Sequence, residues 1–252
     1  MYKPLILITN DDGIFAEGIH RLVDYVADMA DVIVVAPDSP RSGSSAAITV
    51  EVPLRIREYP DYNGAKMLSI NGTPVDCVKL AVNVVTPRRP DLVLSGINHG
   101  ANTGSSVINS GTMGAAIEGA LQGIPSIGFS LVTHTPSATD FDACREYVRK
   151  ITESVIEKGL PDGVCLNVNM PKGGEILGAR IGHSCLGRWM AEYNEYTDPA
   201  GRKFYMLTGT YKNLQPDDHN TDLYLLSQKM VSIVPVATCR DYSGTLPDFS
   251  IN

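Results

Sequence analysis

No run of about 20 apolar residues, the length a membrane-crossing helix needs, occurs in this chain. A bilayer is therefore not expected among its partners. An excess of basic residues is also missing: 21 Lys and Arg stand against 28 Asp and Glu, a formal net charge of -7. That balance argues against a nucleic-acid polymer or an anionic membrane as the main partner, because both select basic faces. A small phosphorylated substrate remains open, since a bound metal can neutralise a local anion. The five cysteines (Cys77, Cys144, Cys165, Cys185, Cys239) are scattered, odd in number and never in CxxC spacing. This excludes a disulfide or cysteine-zinc framework and fits the reduced thiols of a cytoplasmic protein. There is no GxSxG elbow, no HExxH and no GxGxxG after the first strand. Their absence weighs against a serine hydrolase, a zinc protease and a dinucleotide site. In the opening MYKPLILITNDD the acids arrive too soon for a signal peptide.

What is present is the ordinary balance of a globular protein, 43% hydrophobic and 19% charged over 252 residues. That length suits one large α/β domain, or a core with an appendage. Leu5–Thr9 reads as a buried strand. Phe15–Ala30 has helical spacing of apolar residues, and Asp31–Ala36 reads as a second buried strand. This strand–helix–strand start predicts a doubly wound α/β sheet. Ile48–Ile56 and Lys66–Ile70 read as the strands of a hairpin. Thr73 and Pro74 open a helix that runs to about Val85. Strands are then expected at Asp91–Ser95, Ile124–Leu131 and Val164–Val168, with an amphipathic helix at Phe141–Lys158. From about Gly173 the segments shorten, and Arg180–Tyr211 carries Trp189 and several tyrosines. Residues 1–172 are accordingly read as the catalytic core. Residues 173–252 are read as a smaller C-terminal part that pairs with a second subunit, with a helix at Asp222–Lys229 and a strand at Val231–Val236 returning to the core.

The chemistry gathers at strand ends. The first strand leads into Asn10, Asp11, Asp12 and Gly13. A turn there can let both carboxylates reach one ion, although acids are also common in plain turns. Ser42 lies in the loop after the second strand, and Asn98 lies three residues past the strand at Asp91–Ser95. In an open parallel sheet these loops converge on one crevice. Two carboxylates, a hydroxyl and an amide are hard oxygen donors, which suit Mg²⁺, Mn²⁺ or Ca²⁺ better than zinc. Ser110 or Thr112 can cap a helix within SGTMGAAIEGAL, and the exposed N–H groups of such a start bind phosphate oxygens. A tightly packed Gly/Ala helix is the other reading of that stretch. His99 adjoins Asn98. The polar run Asp217–Asp222 reads as a solvated turn rather than a second cation site.

Together, ITNDDG, APD followed by Ser42, SGIN at 95–98 and SGTMGAAIEG at 110–119 resemble the SurE family, the survival-protein-type nucleoside monophosphate phosphatases. The motifs stand in family order along essentially the whole chain. The resemblance implies a Rossmann-like three-layer core with a mostly parallel sheet. It also implies a C-terminal arm exchanged between subunits of a homodimer or homotetramer. It implies one divalent metal, Mg²⁺ or Mn²⁺, on Asp11, Asp12, Ser42 and Asn98, with Asp11 and Asp12 catalytic. Asn10, Asn98, Ser110, Gly111 and Thr112 are the implied substrate and phosphate contacts. The implied reaction releases phosphate from nucleoside 5′-monophosphates, often from 3′-monophosphates and sometimes from polyphosphate. Two departures stand out: Asn109 replaces a common aromatic before SGT, and Ser44–Ala47 replace a common Gly-His pair. Another divalent-metal hydrolase and a nucleotide-sensing module are the alternative readings of the same site.

Overall fold

Leu5–Thr9 is apolar throughout, so both faces of this strand must be covered; Leu5 and Leu7 face one hydrophobic cluster while Ile6 and Ile8 face another. The computed structural model describes residues 3–238, so Cys239 and the rest of the C-terminal end lie outside the described residues. The first half runs β1 (Leu5–Thr9), α1 (Glu17–Val26), β2 (Asp31–Pro37), β3 (Ile56–Tyr62), β4 (Ala65–Ile70) and α2 (Pro74–Leu80). It continues with β5 (Leu92–His99), α3 (Gly111–Leu121), β6 (Ser126–Leu131), α4 (Ala138–Lys158) and β7 (Val164–Met170). After these come β8 (Gly178–Ile181), β9 (Gly187–Met190), β10 (Tyr193–Thr197), β11 (Lys203–Leu207), β12 (Thr210–Asn213), α5 (Asp222–Ser227) and β13 (Met230–Ala237).

Nine of these strands form one sheet in the order β3-β4-β2-β1-β5-β6-β7-β13-β8. Neighbours from β4 to β7 are parallel; β3 on β4 and β13 on β7 are antiparallel. Helices α1 and α4 pack on one face through Ile19, Leu22, Val23, Phe141 and Val148. On the other face α2 and α3 supply Cys77, Val78 and Ala115. The result is the expected mostly parallel three-layer α/β core. Each large side chain fully buried there contributes roughly 1.5–3 kcal/mol of hydrophobic stabilisation. Outside the sheet, β10 pairs with β11 and β12 pairs with β9, making two short antiparallel ribbons.

The helix starts follow their sequence signals. Thr73 and Asp76 close a reciprocal capping box on α2, and Ser137 and Asp140 do the same on α4. The hairpin is where the expectation fails: its first strand is Ile56–Tyr62, not Ile48–Ile56. Thr49 gives its N–H and its hydroxyl to the Asp76 carboxylate instead of to a ladder, at 3.0 and 2.6 Å, and Pro53 has no N–H to give. The turn is Asn63-Gly64, with φ of 46° and 78°, the left-handed pair a two-residue hairpin demands. α1 is also shorter than expected, beginning at Glu17 and ending at Val26, and β5 runs on through Asn98 to His99. Along β5 the Gly96–Ile97 peptide is cis, and the register against β6 shifts between Ser95 and Asn98.

Candidate active site

The chain leaves β1 toward β2 on one side of the sheet and later returns to place β5 on its other side. The carboxyl ends of β1 and β5 therefore flank a topological switch point, where open α/β sheets form their crevice. At the end of β1, Asn10 is fully buried and pins the turn: its Nδ2 donates to Gly13 O at 2.9 Å, and Gly13 N donates to its Oδ1 at 3.1 Å. The next residue, Asp11, is only 4% exposed. The Thr112 hydroxyl donates to Asp11 Oδ1 at 2.5 Å. Burial still dominates and, helped by the neighbouring Asp12 charge, pushes the Asp11 carboxyl up to about 6. Asp12 Oδ2 accepts the His99 N–H at 3.2 Å, tying the end of β1 to the end of β5.

Among the described residues no Lys, Arg or His forms an ion pair with Asp11 or Asp12. A buried carboxylate with a second beside it and no protein cation is a site that fits a bound cation. Its other donors come from two loops. The loop after β2 is bound down by Arg41 N to Asp11 O at 2.7 Å, Ser45 N to Asn109 O at 3.1 Å and Ser45 Oγ to Ile108 O at 2.6 Å. This holds exposed Ser42 on the cleft rim. Across the cleft, Asn98 Nδ2 donates to Gly100 O at 2.8 Å, which leaves Oδ1 as its remaining acceptor. All four are oxygen donors of the hard type that Mg²⁺ and Mn²⁺ take.

Helix α3 starts beside the acids. Ser110 is its cap, accepting Met113 N at 3.1 Å, so its hydroxyl hydrogen stays available to the cleft that Ser110 lines. Gly111 lies directly against the acids: a Cβ added there would stand 2.6 Å from Ser44 Oγ and 2.9 Å from Asp11 Cβ. The buried Ser44 Oγ has no hydrogen-bond partner. Behind the wall, Asn102 is clamped by β7 and β6. Its N–H donates to Asn169 Oδ1 at 2.8 Å, its O accepts Asn167 Nδ2 at 2.7 Å, and its Nδ2 donates to Ser130 Oγ at 2.9 Å. The cleft encloses about 410 Å³. It is lined by Asp11, Ser42, Asn98, Ser110 and His134, by Trp189 and Leu207 of the ribbons, and by Glu192 and Thr208 between ribbon strands.

A family model described as "Survival protein SurE" matches residues 6–191. The chain belongs to the SurE family. Curated proteins named "5'-nucleotidase SurE" are similar to it. That of Phocaeicola vulgatus is 46% identical over 92% of this chain and 90% of its own length. That of Christiangramia forsetii is 44% identical over 99% and 98%. Among solved structures, the SurE protein from Aquifex aeolicus superposes with a TM-score of 0.80 at 33% identity, covering 94% of each chain.

This SurE chain brings Asp11, Ser42, Asn98 and Ser110 onto one cleft, with Asp12 joined to it through His99. The other three residues that the resemblance gives to the substrate lie beside that cleft. Asn10 is buried on Gly13, Thr112 is fully buried with its hydroxyl on Asp11, and Gly111 packs against Ser44 and Asp11. The Asp217–Asp222 run also differs from expectation. Asp222 is wholly buried, not solvated, and accepts the N–H groups of Gly104 at 2.7 Å, Cys185 at 2.9 Å and Leu223 at 2.8 Å. Residues that sequence reasoning missed include Asn102 and Glu192, while Ser44 stood out as a departure from the family pattern and Trp189 as an aromatic of the C-terminal part. Of the two missed, only the Asn102 clamp had a signal: Asn167 and Asn169, two amides at period two in an apolar strand.

Proposed function

We propose that this chain is a divalent-metal-dependent phosphomonoesterase that hydrolyses nucleoside 5′-monophosphates to nucleoside and phosphate. The observation that carries the reading is the uncompensated pair Asp11 and Asp12 at the switch point, facing Asn98 and the Ser110 start of α3 across one cleft. The names of the relatives above favour the same substrate class.

Asp11, Asp12, Ser42 and Asn98 would hold a single Mg²⁺ or Mn²⁺. Such an ion, when bound, lowers the pKa of a coordinated water and screens the charge of a phosphoryl group. The chain's own residues do the rest. Thr112 fixes the rotamer of Asp11, and the His99 N–H fixes that of Asp12, so both carboxylates are oriented before substrate arrives. The Ser110 hydroxyl donates to a phosphoryl oxygen, and the positive end of α3 favours the charge that builds there. The proton leaving the attacking water passes to the acid pair. A water oxygen joins phosphorus, the bond to the nucleoside oxygen breaks, and that oxygen leaves protonated. The reading includes 3′-monophosphates and polyphosphate as further substrates of the same site.

The reading extends to assembly and setting. Residues 173–252 form the part that engages a second subunit of a homodimer or homotetramer, with the ribbon arm exchanged; exposed Tyr193, Phe204, Tyr205 and Met206 support it. A cytoplasmic setting is supported by buried thiols such as Cys144, which burial pushes up to about 12. No helix among the described residues is long and apolar enough to cross a membrane.

The test is phosphate release from nucleoside monophosphates and p-nitrophenyl phosphate with Mg²⁺, Mn²⁺ or EDTA. Turnover with metal and none in EDTA is expected. Absence of metal-dependent turnover on every phosphomonoester overturns the reading.

A further inference from the structure

Hydrolysis of a phosphate ester needs an acid as well as a base. The ribose oxygen is a strong base as it departs and must gain a hydrogen while its bond to phosphorus breaks. The acid pair takes a proton in this reaction, and the Ser110 hydroxyl is too weak an acid to give one up. Glu192, the other carboxyl on the cleft besides Asp11, lies between ribbon strands, in the part that engages a second subunit.

Two imidazoles line the cleft, His99 and His134. Their rings are placed differently. His99 Nε2 is buried without a hydrogen-bond partner, and a Cβ added to Gly18 would stand 3.3 Å from it. That ring also lies 5.9 Å from the Phe141 ring, so its Nε2 faces α1 and is closed to a substrate.

His134 is exposed, three residues past the end of β6. Its Nδ1 stands 3.0 Å from His99 O. A carbonyl oxygen can only accept, so Nδ1 carries the hydrogen. That bond is the same in the neutral ring and in the imidazolium, so Nε2 is the nitrogen that gains and loses a proton. The ring rests on Gly100, where an added Cβ would stand 2.6 Å from Cε1. Gly100 N in turn donates to Leu131 O at 3.0 Å, which ties the exit of β5 to the end of β6. All these contacts belong to the core, so they hold whichever subunit supplies the ribbons.

We propose that His134 is the general acid of the phosphatase reaction, giving its Nε2 proton to the ribose oxygen as the P–O bond breaks. The electron pair of that bond goes to the oxygen, the oxygen takes the proton, and the neutral imidazole is reprotonated from the solvent it is open to. The inference rests on the phosphatase reading and adds the group that lets a poor leaving group leave.

Leaving groups of different basicity test it in the full-length protein with Mn²⁺. p-Nitrophenolate is a weak base and departs without a proton, whereas the ribose oxygen does not. His134→Ala should lower kcat/KM about a hundredfold for AMP and at most about threefold for p-nitrophenyl phosphate. Phenyl phosphate has nearly the same shape as the nitro compound but a more basic leaving oxygen, and should lose about tenfold. His134→Gln keeps an N–H for His99 O but has no proton to give up, and should match His134→Ala. Inhibition by inorganic phosphate and the Mn²⁺ concentration for half-activation should not move in either variant. An equal fall on all three substrates, or recovery of AMP turnover in His134→Gln, would show that the ring only holds its loop; either overturns the inference while the phosphatase reading stands. A fall on AMP with phenyl and p-nitrophenyl phosphate affected alike would mark a nucleoside contact and overturns it too. If the wild type releases phosphate from no phosphomonoester, the phosphatase reading fails and the general acid falls with it.

Discussion

Asp11 sits in the folded protein at a cost that the Thr112 hydroxyl offsets only in part. Its carboxyl is raised from 3.8 to about 6 mainly by burial. The metal-free folded state thus holds this proton more tightly than the unfolded chain does. The contribution of this group to stability is greatest below about 3.8, declines as pH rises from there to about 6, and keeps the full penalty above. Asp11→Asn removes the penalty and keeps an oxygen for Thr112 to donate to. In EDTA at pH 7.5 the variant should be more stable by about 2 kcal/mol, roughly 5 °C in melting temperature, with no gain at pH 3.5. The same variant should lose metal-dependent turnover. In the wild type, protons compete with metal for this carboxylate, so activity should fall as pH drops through about 6. Thr112→Val removes one donor to Asp11 and pushes its carboxyl further up, so the acid limb of the pH–rate profile should move to higher pH with circular dichroism unchanged. Asp11, Asp12, Ser42 and Asn98 were legible in sequence because strand ends of a parallel sheet converge by rule. Thr112 was read as a helix cap or a phosphate contact; its bond to Asp11 joins positions 101 residues apart, beyond any local pattern.

Between elements, the site depends on how closely α3 approaches the loop after β2. A Cβ on Gly114 would stand 2.2 Å from the Ser45 carbonyl oxygen. Gly114→Ala must therefore push the Ser42–Ala46 loop away from the helix, and Ser42 with it. We expect kcat/KM to fall at least tenfold and the metal concentration for half-activation to rise, with helix content by circular dichroism preserved. Ser137→Ala tests an element remote from the chemistry. Loss of the α4 cap should cost about 1 kcal/mol and lower the melting temperature by about 3 °C, with turnover unchanged. Helix starts were readable because a cap is a local motif. The hairpin was misplaced although Asn63-Gly64 marked its turn, because the apolar residues at 48–56 looked like a strand. Their fate was decided by Asp76, which takes the Thr49 N–H from 27 residues away.

At the scale of the whole molecule, Asp222 joins its own helix to two distant segments. It holds the backbone of Gly104 beside the cleft loop, Cys185 before the ribbons and Leu223 in α5. Asp222→Ala would leave buried N–H groups unpaired and should destabilise the protein by about 3 kcal/mol, read as a lower denaturant midpoint. The ribbon end of the cleft was not legible in sequence for the same reason: contacts such as Ser105 with Tyr211 span 106 residues. The sheet order carries one more consequence, for the sequence of assembly on the ribosome. β1 is made first but gains its second neighbour only when β5 emerges, so the acid pair has no finished rim until about residue 99 has been synthesised. The far edge waits longer still. β8 pairs in the main sheet only with β13, which is made some 50 residues later. Until then β7 is an open, apolar strand edge, the kind that recruits other chains. A stop before residue 230 would therefore leave the Asp11 rim complete and yet yield a protein prone to aggregate.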